Sequence, residues 1–549
     1  MADKVFDVAV IGGGTKSLIT ALYLQTYGGM KVGIFENRHE IGGCWDYQEN
    51  MAPGFVHDAH ATNVWDWYFL PVLYDFPGIE DYGMKFGYFP GATGITFVES
   101  DDVLLLYHRQ YDLTGERSAK EIARFSERDA ETFLKMEKAY IEPGGYKEAK
   151  IASIFSLPKP GQPDPATAWF FDYIKRPDSL FDEQMLYMSA YQSGRELFDS
   201  VELRCLVLNG FPLRAGTADD AMSSPQWFGL PSFRELGFVV GGTHNIAHAV
   251  IRTIVENGGQ FFTLSQVDKI LIENEEAKGI RLVDGTEIGA KIVVSAVDPY
   301  QLAFRFIGEE HLSSKITRRV ANLEREWNNI AGCIYAVHEL PNYRAAAFNP
   351  DFVAGRFHAV EIANKKDDRE VANELLSCRH GVEPEDISVY VAANHSAVDQ
   401  SRVPAGKHVL AAGTMGLPLR ARTERAWLDY RKVLAEKVRR RIHAVAPNFT
   451  QDNIIGIDIR TPYELSRSKL NLPTGNQIVI DFTMAQSGRM QPIPEWADTR
   501  IRPVKNVYAA SAAWGGAPGA NSSQGYRCYK AIAEDHGLRK PWEEKGRPW

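Results

Sequence analysis

One stretch near the N-terminus, VFDVAVIGGGTKSLITALYLQ, restricts the possible folds of this chain more than any other. Residues 5–11 have the composition of a buried strand, three glycines follow, and the next apolar residues recur at helical spacing. The run MKVGIFE then supplies a second strand, which completes a strand–helix–strand unit of about 30 residues. Such a unit predicts a parallel α/β sheet covered by helices.

The turn after the first strand nearly matches the dinucleotide-binding pattern G-x-G-x-x-G. Gly12 fits the tight turn and Gly14 the close approach of the backbone to a pyrophosphate, but Ser17 occupies the third glycine position. Serine adds one oxygen to the volume of alanine, the usual substitute, and its hydroxyl can bond a carbonyl one turn earlier. We therefore expect a small loss of packing and an intact phosphate site, formed by the free N–H groups at Thr15 and the rest of the helix N-terminus.

A glutamate and a glycine pair follow this unit. Glu36 closes the second strand 24 positions after Gly12, where a carboxylate is expected on the ribose hydroxyls of a nucleotide without a 2′-phosphate. Gly42 and Gly43 then match the second signature of two-dinucleotide-binding flavoproteins. The turn alone fits a glycine-rich loop that binds nothing equally well. The joint pattern favours a dinucleotide site, with Asn37 beside the glutamate.

Bulk properties restrict the class of protein. The 549 residues exceed one ordinary core, so two or more domains are expected, and a net charge of −9 disfavours nucleic acid as a partner. Five scattered cysteines without a C-x-x-C pair argue against a disulfide framework and favour a reducing compartment. Without a signal-peptide pattern or a bilayer-spanning apolar run, we expect a cytoplasmic protein. A peripheral contact with the inner face of a membrane stays an alternative.

Four later stretches carry a family likeness. They are EIGGCWDYQENMAPGFVHDAHA, GGTHNIAHAVIRTIVENGGQFFTLSQVDKILIENEEAKGIRLVDGTEI, TPYELSRSKLNLPTGNQIVIDFTMAQSGRM and PVKNVYAASAAWGGAPGANSSQGYR. On these motifs the sequence resembles the phytoene-desaturase-like FAD oxidoreductases, the family of the carotenoid desaturases. The resemblance covers most of the chain. It implies an amine-oxidase-like α/β architecture, in which a Rossmann-like FAD-binding domain is interleaved with a substrate domain of sheet plus helices.

The order of strand and helix patterns divides this architecture into alternating segments. The expected segments are FAD-binding 1–101, helical substrate region 102–225, FAD-binding 226–299, substrate domain 300–480 and FAD-binding 481–549. The helical region is the part least like the family. In the middle FAD-binding segment, Asp284 and Gly285 lie between two alternating runs and predict a β-hairpin.

The same resemblance assigns cofactor residues in the later segments. Val267 would lie beside the adenine. The implied flavin contacts of the C-terminal loop are Ser511, Gly516, Pro518, Gly519 and Ala520. The family usually has a glycine where Ser511 stands, and this loop is shortened. Because no second dinucleotide turn follows a strand, the likeness is to enzymes that bind FAD alone and pass electrons to a quinone or oxygen.

The stretch GFVHDAHATN carries the candidate catalytic residues, because the resemblance puts it near the active site. His60 or Asp58 would accept a proton or orient the substrate there, and the alternative is a hydrogen-bonded loop histidine. No third ligand accompanies His57 and His60, so no metal site is expected. The aromatic run NVWDWYFLPVLY is either part of the core, the mouth of a substrate channel or a helix that dips into a membrane.

The resemblance implies that FAD removes hydride from an apolar substrate, an isoprenoid such as a carotenoid or a smaller terpene. The product would carry a new C=C bond or an allylic oxidation. A redox-neutral flavin-dependent isomerase of double bonds is a second interpretation. A third, motivated by Ser17, Ser511 and the shortened loop, is a non-catalytic companion subunit or lipid-binding protein of the same fold. Homo- and hetero-oligomers are both left open.

Overall fold

A computed structural model describes residues 4–159, 161–213, 219–327, 329–392 and 394–549 of the chain. Two large mixed sheets and the helices around them organise these residues. The strands are β1 Lys4–Ile11, β2 Val32–Phe35, β3 Tyr47–Gln48, β4 His57–Asp58, β5 Phe86–Gly87, β6 Gly91–Phe97, β7 Ser100–Tyr107, β8 Phe238–Val239, β9 Gln260–Phe262, β10 Val267–Glu273, β11 Glu276–Leu282, β12 Glu287–Ser295, β13 Ile330–Val337, β14 Phe357–Ala363, β15 Val389–Ala392, β16 His408–Met415, β17 Ile454–Arg460 and β18 Val507–Ala509.

Helices lie between and around these strands. They are α1 Thr15–Thr26, α2 Leu70–Asp75, α3 Glu116–Ala123, α4 Glu127–Ile141, α5 Tyr146–Phe155, α6 Pro165–Tyr173, α7 Ala190–Leu197, α8 Val201–Leu213, α9 His244–Glu256, α10 Pro299–Gln301, α11 Ser314–Ala321, α12 Asp368–Arg379, α13 Glu424–Val445, α14 Pro462–Ser468, α15 Ser523–His536 and α16 Pro541–Glu544. Within the described ranges, none combines the length and the apolar character needed to cross a bilayer.

The first sheet contains the predicted strand–helix–strand unit. Its order is β10-β11-β12-β1-β2-β9, and β18 also pairs with β12. The strands β12, β1, β2 and β9 run parallel, and β18 runs parallel to β12. Val8 and Val10 pack towards α1, α9 and α15, while Ala9 and Ile11 belong to the apolar cluster on the opposite face. Burial on both faces explains why this strand reads as a continuous apolar run.

The hairpin predicted at residues 284 and 285 is confirmed. It joins β11 to β12 as antiparallel neighbours, with Ile280 opposite Ile288. The predicted Rossmann-like α/β fold class is confirmed as well, since a parallel sheet with helices on its faces forms around β1.

The second sheet has the order β17-β13-β16-β15-β14-β6-β7. On one face, Val389, Val391 and Leu410 pack against α13 in an apolar cluster. Because successive side chains of a strand alternate between the faces, Tyr390 and Ala392 point the other way, towards a large cavity. The second sheet is therefore the floor of this cavity.

The second sheet combines strands from distant parts of the chain. β6 and β7 belong to the second sheet, where β14 is the parallel neighbour of β6. Substrate-domain structure thus starts within the predicted segment 1–101. The helices α3 to α8 pack on this end of the sheet, and Ile95, Leu104 and Leu206 share one apolar cluster. The segment limits themselves stay predictions.

Candidate functional site

Two glycine loops meet at the carboxyl end of β1 and form a narrow crevice. Gly12 has a φ of +88°, and Gly14 directly precedes α1. The N–H of Gly42 donates to the carbonyl oxygen of Gly13 at 2.9 Å. A Cβ on Gly43 would stand only 2.9 Å from the Cα of Gly14. Only backbone without side chains fits at this contact, which lets both loops face one ligand.

Ser17 closes the turn and does not displace the helix. Its side chain is fully buried, and its Oγ lies 2.6 Å from the carbonyl oxygen of Gly12 and 3.1 Å from that of Gly14. The close helix contact that the third glycine usually allows is made by Gly525 of α15, where a Cβ would stand 2.3 Å from the carbonyl oxygen of Lys16. Sequence reasoning missed Gly525; a glycine inside the helical run SSQGYRC was the available signal.

The N-terminus of α1 faces the crevice. The helix spans 12 residues from Thr15, and no side chain caps it. Its first N–H groups and the positive end of its dipole suit an anionic pyrophosphate. Gly12, Gly14 and Thr15 all line the cavity, so the crevice is open at this point.

The predicted nucleotide residues on the neighbouring strands line the same cavity. Glu36 follows β2, and its carboxylate accepts the N–H of Gly13 and the N–H of Arg38, each at 2.8 Å. Asn37 and Val267 also line the cavity. The glutamate is thus fixed on the backbone beside the crevice, with carboxylate lone pairs left over for ribose hydroxyls.

The C-terminal loop closes the cavity from the other side. The predicted residues that line it are Ser511, Pro518, Gly519 and Ala520. Gly516 lies behind the loop, because a Cβ there would stand 2.4 Å from the Oγ of Ser523. Ser17, Gly42 and Gly516 therefore support the cavity wall without lining it.

Lys16 ties this loop to the first turn. Its Nζ donates to the carbonyl oxygens of Gly519 at 2.7 Å and Asn521 at 3.2 Å. The side chain is buried, and this desolvation lowers its pKa to about 7. Sequence reasoning did not select Lys16, because the turn pattern places no restriction on its position.

The crevice continues into a cavity of about 1000 Å³, at the upper end of the usual range for ligand pockets. Small residues of the second sheet leave room along its floor, among them Gly332, Ala392, Ala411 and Gly413. Apolar side chains in its walls include Trp65, Leu206, Phe233, Leu236 and Ile334. This combination suits a large, mainly apolar ligand.

His60 lies in the cavity wall but is already hydrogen-bonded. Its Nδ1 is 2.9 Å from the Oδ1 of Asp46, and its Nε2 is 3.3 Å from an Nη1 of Arg460. Burial lowers the pKa of His60 to about 4. Lys469 pairs with Asp46 at 2.6 Å and donates to the carbonyl oxygen of Gly43. Burial by itself would raise the pKa of Asp46. The hydrogen bond from His60 and the charge of Lys469 outweigh this effect and keep that pKa low.

Asp58 also lines the cavity and is paired. Its Oδ2 binds Arg402 at 2.9 Å, and its Oδ1 accepts the N–H and the hydroxyl of Thr243 at 2.7 and 3.0 Å. These contacts hold the loop that carries Asp58 and His60, and the catalytic roles of the two residues stay predictions. Among the described residues, no three His, Cys, Asp or Glu side chains are grouped closely enough to hold a metal ion.

The aromatic run after this loop is mostly core. Trp67, Tyr68 and Phe69 are buried in the cluster around α1, and Trp65 lines the cavity. The core interpretation is therefore correct for most of the run. Through Trp65 the aromatic run also forms part of the cavity wall.

The comparisons with known proteins agree with this picture. Residues 10–76 match the family described as "NAD(P)-binding Rossmann-like domain". The chain is 25% identical over 540 residues to pyridine nucleotide-disulfide oxidoreductase domain-containing protein 2 of Rattus norvegicus, covering 92% of this chain and 89% of that protein. It is 23% identical over 338 residues to a lycopene-forming phytoene desaturase of Pseudescherichia vulneris, covering 58% and 60%. A chloroplastic prolycopene isomerase of Daucus carota is 23% identical over 330 residues, covering 56% and 49%.

Solved structures share the whole fold. An oxidoreductase from Methanosarcina mazei superposes with a TM-score of 0.59 at 15% identity, over 96% of this chain and 99% of its own. Wild-type putrescine oxidase bound to putrescine superposes with a TM-score of 0.59 at 14% identity, over 97% and 99%.

Fold and crevice together define a Rossmann-like α/β protein, and the solved oxidoreductase structures share its fold. The chain is also similar in sequence to carotenoid and phytoene desaturases, which confirms the resemblance predicted from its sequence.

Proposed function

We propose that the chain binds FAD and uses it to remove hydride from a largely apolar substrate of the isoprenoid type. The observation that carries this proposal is one continuous cavity that joins the glycine crevice, the C-terminal loop and the apolar floor of the second sheet. The relatives named as diapophytoene and phytoene desaturases support it.

Each part of the crevice suits one part of the cofactor. The backbone between Gly12 and Thr15 would hold the pyrophosphate, Glu36 the ribose of the ADP half, and Val267 would lie by the adenine. The loop around Gly519, held by Lys16, would border the flavin end. The uncapped N-terminus of α1 is the structural feature that fits an anionic group best.

FAD, when bound, would supply a two-electron acceptor for the hydride of a substrate C–H bond; loss of a proton from the neighbouring carbon to solvent would leave a C=C bond, and oxygen or a quinone would take up the electrons. The chain positions the substrate and excludes water from it. Its apolar walls hold a substrate by burial, at roughly 25 cal/mol for each Å² removed from water. His60 and Asp58 hold the loop between crevice and floor through Arg460 and Arg402.

Spectroscopy on the purified protein tests the proposal. We expect a flavin absorption spectrum, and anaerobic addition of an isoprenoid substrate should bleach it in one turnover. Air or a quinone should then restore the colour, because the electrons need an acceptor. A colourless protein that takes up no added FAD would contradict the proposal and favour the companion-subunit interpretation.

A redox-neutral isomerase is the second candidate, favoured by the likeness to prolycopene isomerase over 330 residues. Such an enzyme would need reduced flavin and no terminal acceptor. Product analysis under anaerobic conditions separates the two. An isomer of unchanged mass formed with reduced FAD supports the isomerase, whereas a loss of two hydrogens that requires an acceptor supports the oxidoreductase.

A further inference from the structure

An acidic side chain lies in the apolar part of the cavity, far from the crevice. Glu361 is on β14, where its neighbour across the sheet is Tyr390. It is only 4% exposed and lines the cavity, yet its carboxyl group makes no hydrogen bond and no ion pair with any residue of the described ranges. A buried carboxyl group in that position costs free energy unless something binds it. Glu361 is therefore a candidate ligand contact.

Among the described residues Glu361 has no ion-pair partner, and the charged group that acts on its pKa is a second acid. Glu374 of α12 lines the same cavity, and its carboxylate accepts the N–H and the hydroxyl of Ser388 at 2.7 and 2.8 Å. Burial and the charge of Glu374 raise the pKa of Glu361 to about 8. At neutral pH Glu361 is thus mainly a protonated acid, which has one O–H donor and an acceptor oxygen.

A second polar group without a partner lies on the facing helix. Asn209 of α8 is 8% exposed and lines the cavity, and its Nδ2 has no hydrogen-bond partner in the part of the chain that the structure describes. Helix α8 packs on β14 and β6, on the side of the sheet that Glu361 faces. The acid and the amide thus flank the end of the cavity that borders the helical layer.

This end is well separated from the crevice. Arg460 of β17 bonds His60, and Lys469 bonds Gly43, so the β17 edge of the floor adjoins the crevice. β14 lies four strands from β17, which corresponds to about 19 Å at the usual strand spacing. Because the crevice would hold the pyrophosphate, a substrate would lie along the floor between the C-terminal loop and the Glu361 end.

We propose that Glu361 and Asn209, called here the Glu361 subsite, bind a hydroxyl group at the far end of the substrate. A hydroxyl group both donates and accepts hydrogen bonds. It can therefore bond a protonated acid and an amide at the same time, and it brings no charge into an apolar cavity. This inference rests on the proposed function, since it specifies the substrate as an isoprenoid alcohol. A plain hydrocarbon would leave both groups without partners.

Three probes that differ only at one end test the subsite. They are geranylgeraniol, geranylgeranylamine and the hydrocarbon in which a methyl group ends the same chain. Binding to the FAD-loaded protein is followed by tryptophan fluorescence, because Trp65 lines the cavity. We expect the alcohol to bind at least tenfold more tightly than the hydrocarbon.

Variants at Glu361 show whether the preference comes from the subsite. Glu361→Leu should bring alcohol and hydrocarbon within twofold of each other, while Glu361→Gln, which keeps a donor and an acceptor, should retain most of the preference. Glu131→Gln, an exposed change on α4, is the matched control and should behave as the unchanged protein.

Equal binding of alcohol and hydrocarbon to the unchanged protein would overturn the inference. Tightest binding of the amine, with release of a proton measured by calorimetry in two buffers, would overturn it in favour of a cation site. Bleaching of the flavin by the same probes is measured in a separate experiment. Alcohol preference without bleaching would support the subsite and contradict the proposed reaction, and bleaching without end-group preference would do the reverse.

Discussion

The nucleotide crevice and the Glu361 subsite lie at two ends of one cavity and are built in different ways. The crevice consists of backbone: Gly12, Gly14 and Gly43 bring two loops within van der Waals contact, and the uncapped N-terminus of α1 opens into it. The Glu361 subsite consists of side chains, one from a strand and one from a helix. The crevice is local in sequence, whereas the subsite joins residues 209 and 361.

This difference separates what is common to a fold from what one protein does with it. A backbone site needs glycine at fixed spacing, whatever substrate the protein handles. A side-chain site depends on which residues a particular cavity brings together, and it decides specificity. The following predictions test whether one end of the cavity depends on backbone and the other on side chains.

The largest effect is expected from Gly43→Ala. A Cβ at this residue would stand 2.9 Å from the Cα of Gly14, which is backbone and cannot move aside. We expect FAD affinity to fall at least 100-fold, or about 2.7 kcal/mol. Gly29→Ala is a matched control, because Gly29 has a φ of +61° against +62° at Gly43 but no atom within 4 Å of its Cβ position. Equal flavin loss in both variants would show that backbone strain, and not the loop contact, is responsible.

The next largest effect is expected at the Glu361 subsite, where the free energy of unfolding should depend on pH. Because the pKa of Glu361 is raised to about 8, the folded protein keeps this proton at pH values where the unfolded chain loses it. The stability that the acid contributes is present below about pH 4.5 and is lost as the pH rises towards 8. Relative to Glu361→Gln, the free energy of unfolding should fall by roughly 3.5 kcal/mol between pH 5 and 8.

Urea unfolding of the two proteins at several pH values measures this difference. In Glu374→Gln the fall should be smaller and should end at a lower pH value, because the charge of Glu374 helps to raise the pKa of Glu361 and because Glu374, whose own pKa burial raises to about 7, no longer titrates. Parallel stability curves for the unchanged protein and Glu361→Gln would show that the carboxyl group is solvated or paired.

A smaller effect is expected from Lys16→Met. The change removes the two hydrogen bonds that hold the C-terminal loop to the first turn. We expect FAD to bind about 10-fold less tightly, a loss of about 1.4 kcal/mol. Lys120→Met, an exposed change on α3, should leave the affinity unchanged. Flavin fluorescence titration compares the two, and an unchanged affinity of Lys16→Met would show that the loop is held by other contacts.

The smallest effect on the cofactor is expected from Ser17→Gly, which restores the family pattern. Because the hydroxyl bonds inside the turn and does not line the cavity, FAD affinity should change less than about threefold, or about 0.7 kcal/mol. The free energy of unfolding should fall by about 1 kcal/mol, since glycine is a poor helix former. A strong gain in FAD affinity would mean that the serine obstructs the crevice.

Most of the crevice could be predicted from the sequence, because its glycines and Glu36 act at fixed spacing along the chain. The strand–helix–strand unit and the hairpin before β12 were predictable for the same reason. Lys16 and Gly525 could not be selected, since their partners lie about 500 positions away in sequence. Glu361 and Asn209 carry no motif at all, and only the pairing of β14 with β15 and β6 brings that carboxyl group to the cavity.

The central claim is that the glycine crevice holds FAD, and the nucleotide released by heating the purified protein tests it most directly. We predict that chromatography will show FAD in an amount equimolar with the chain, and none from Gly43→Ala. Release of no flavin from the unchanged protein, together with a failure to take up added FAD, would contradict the account.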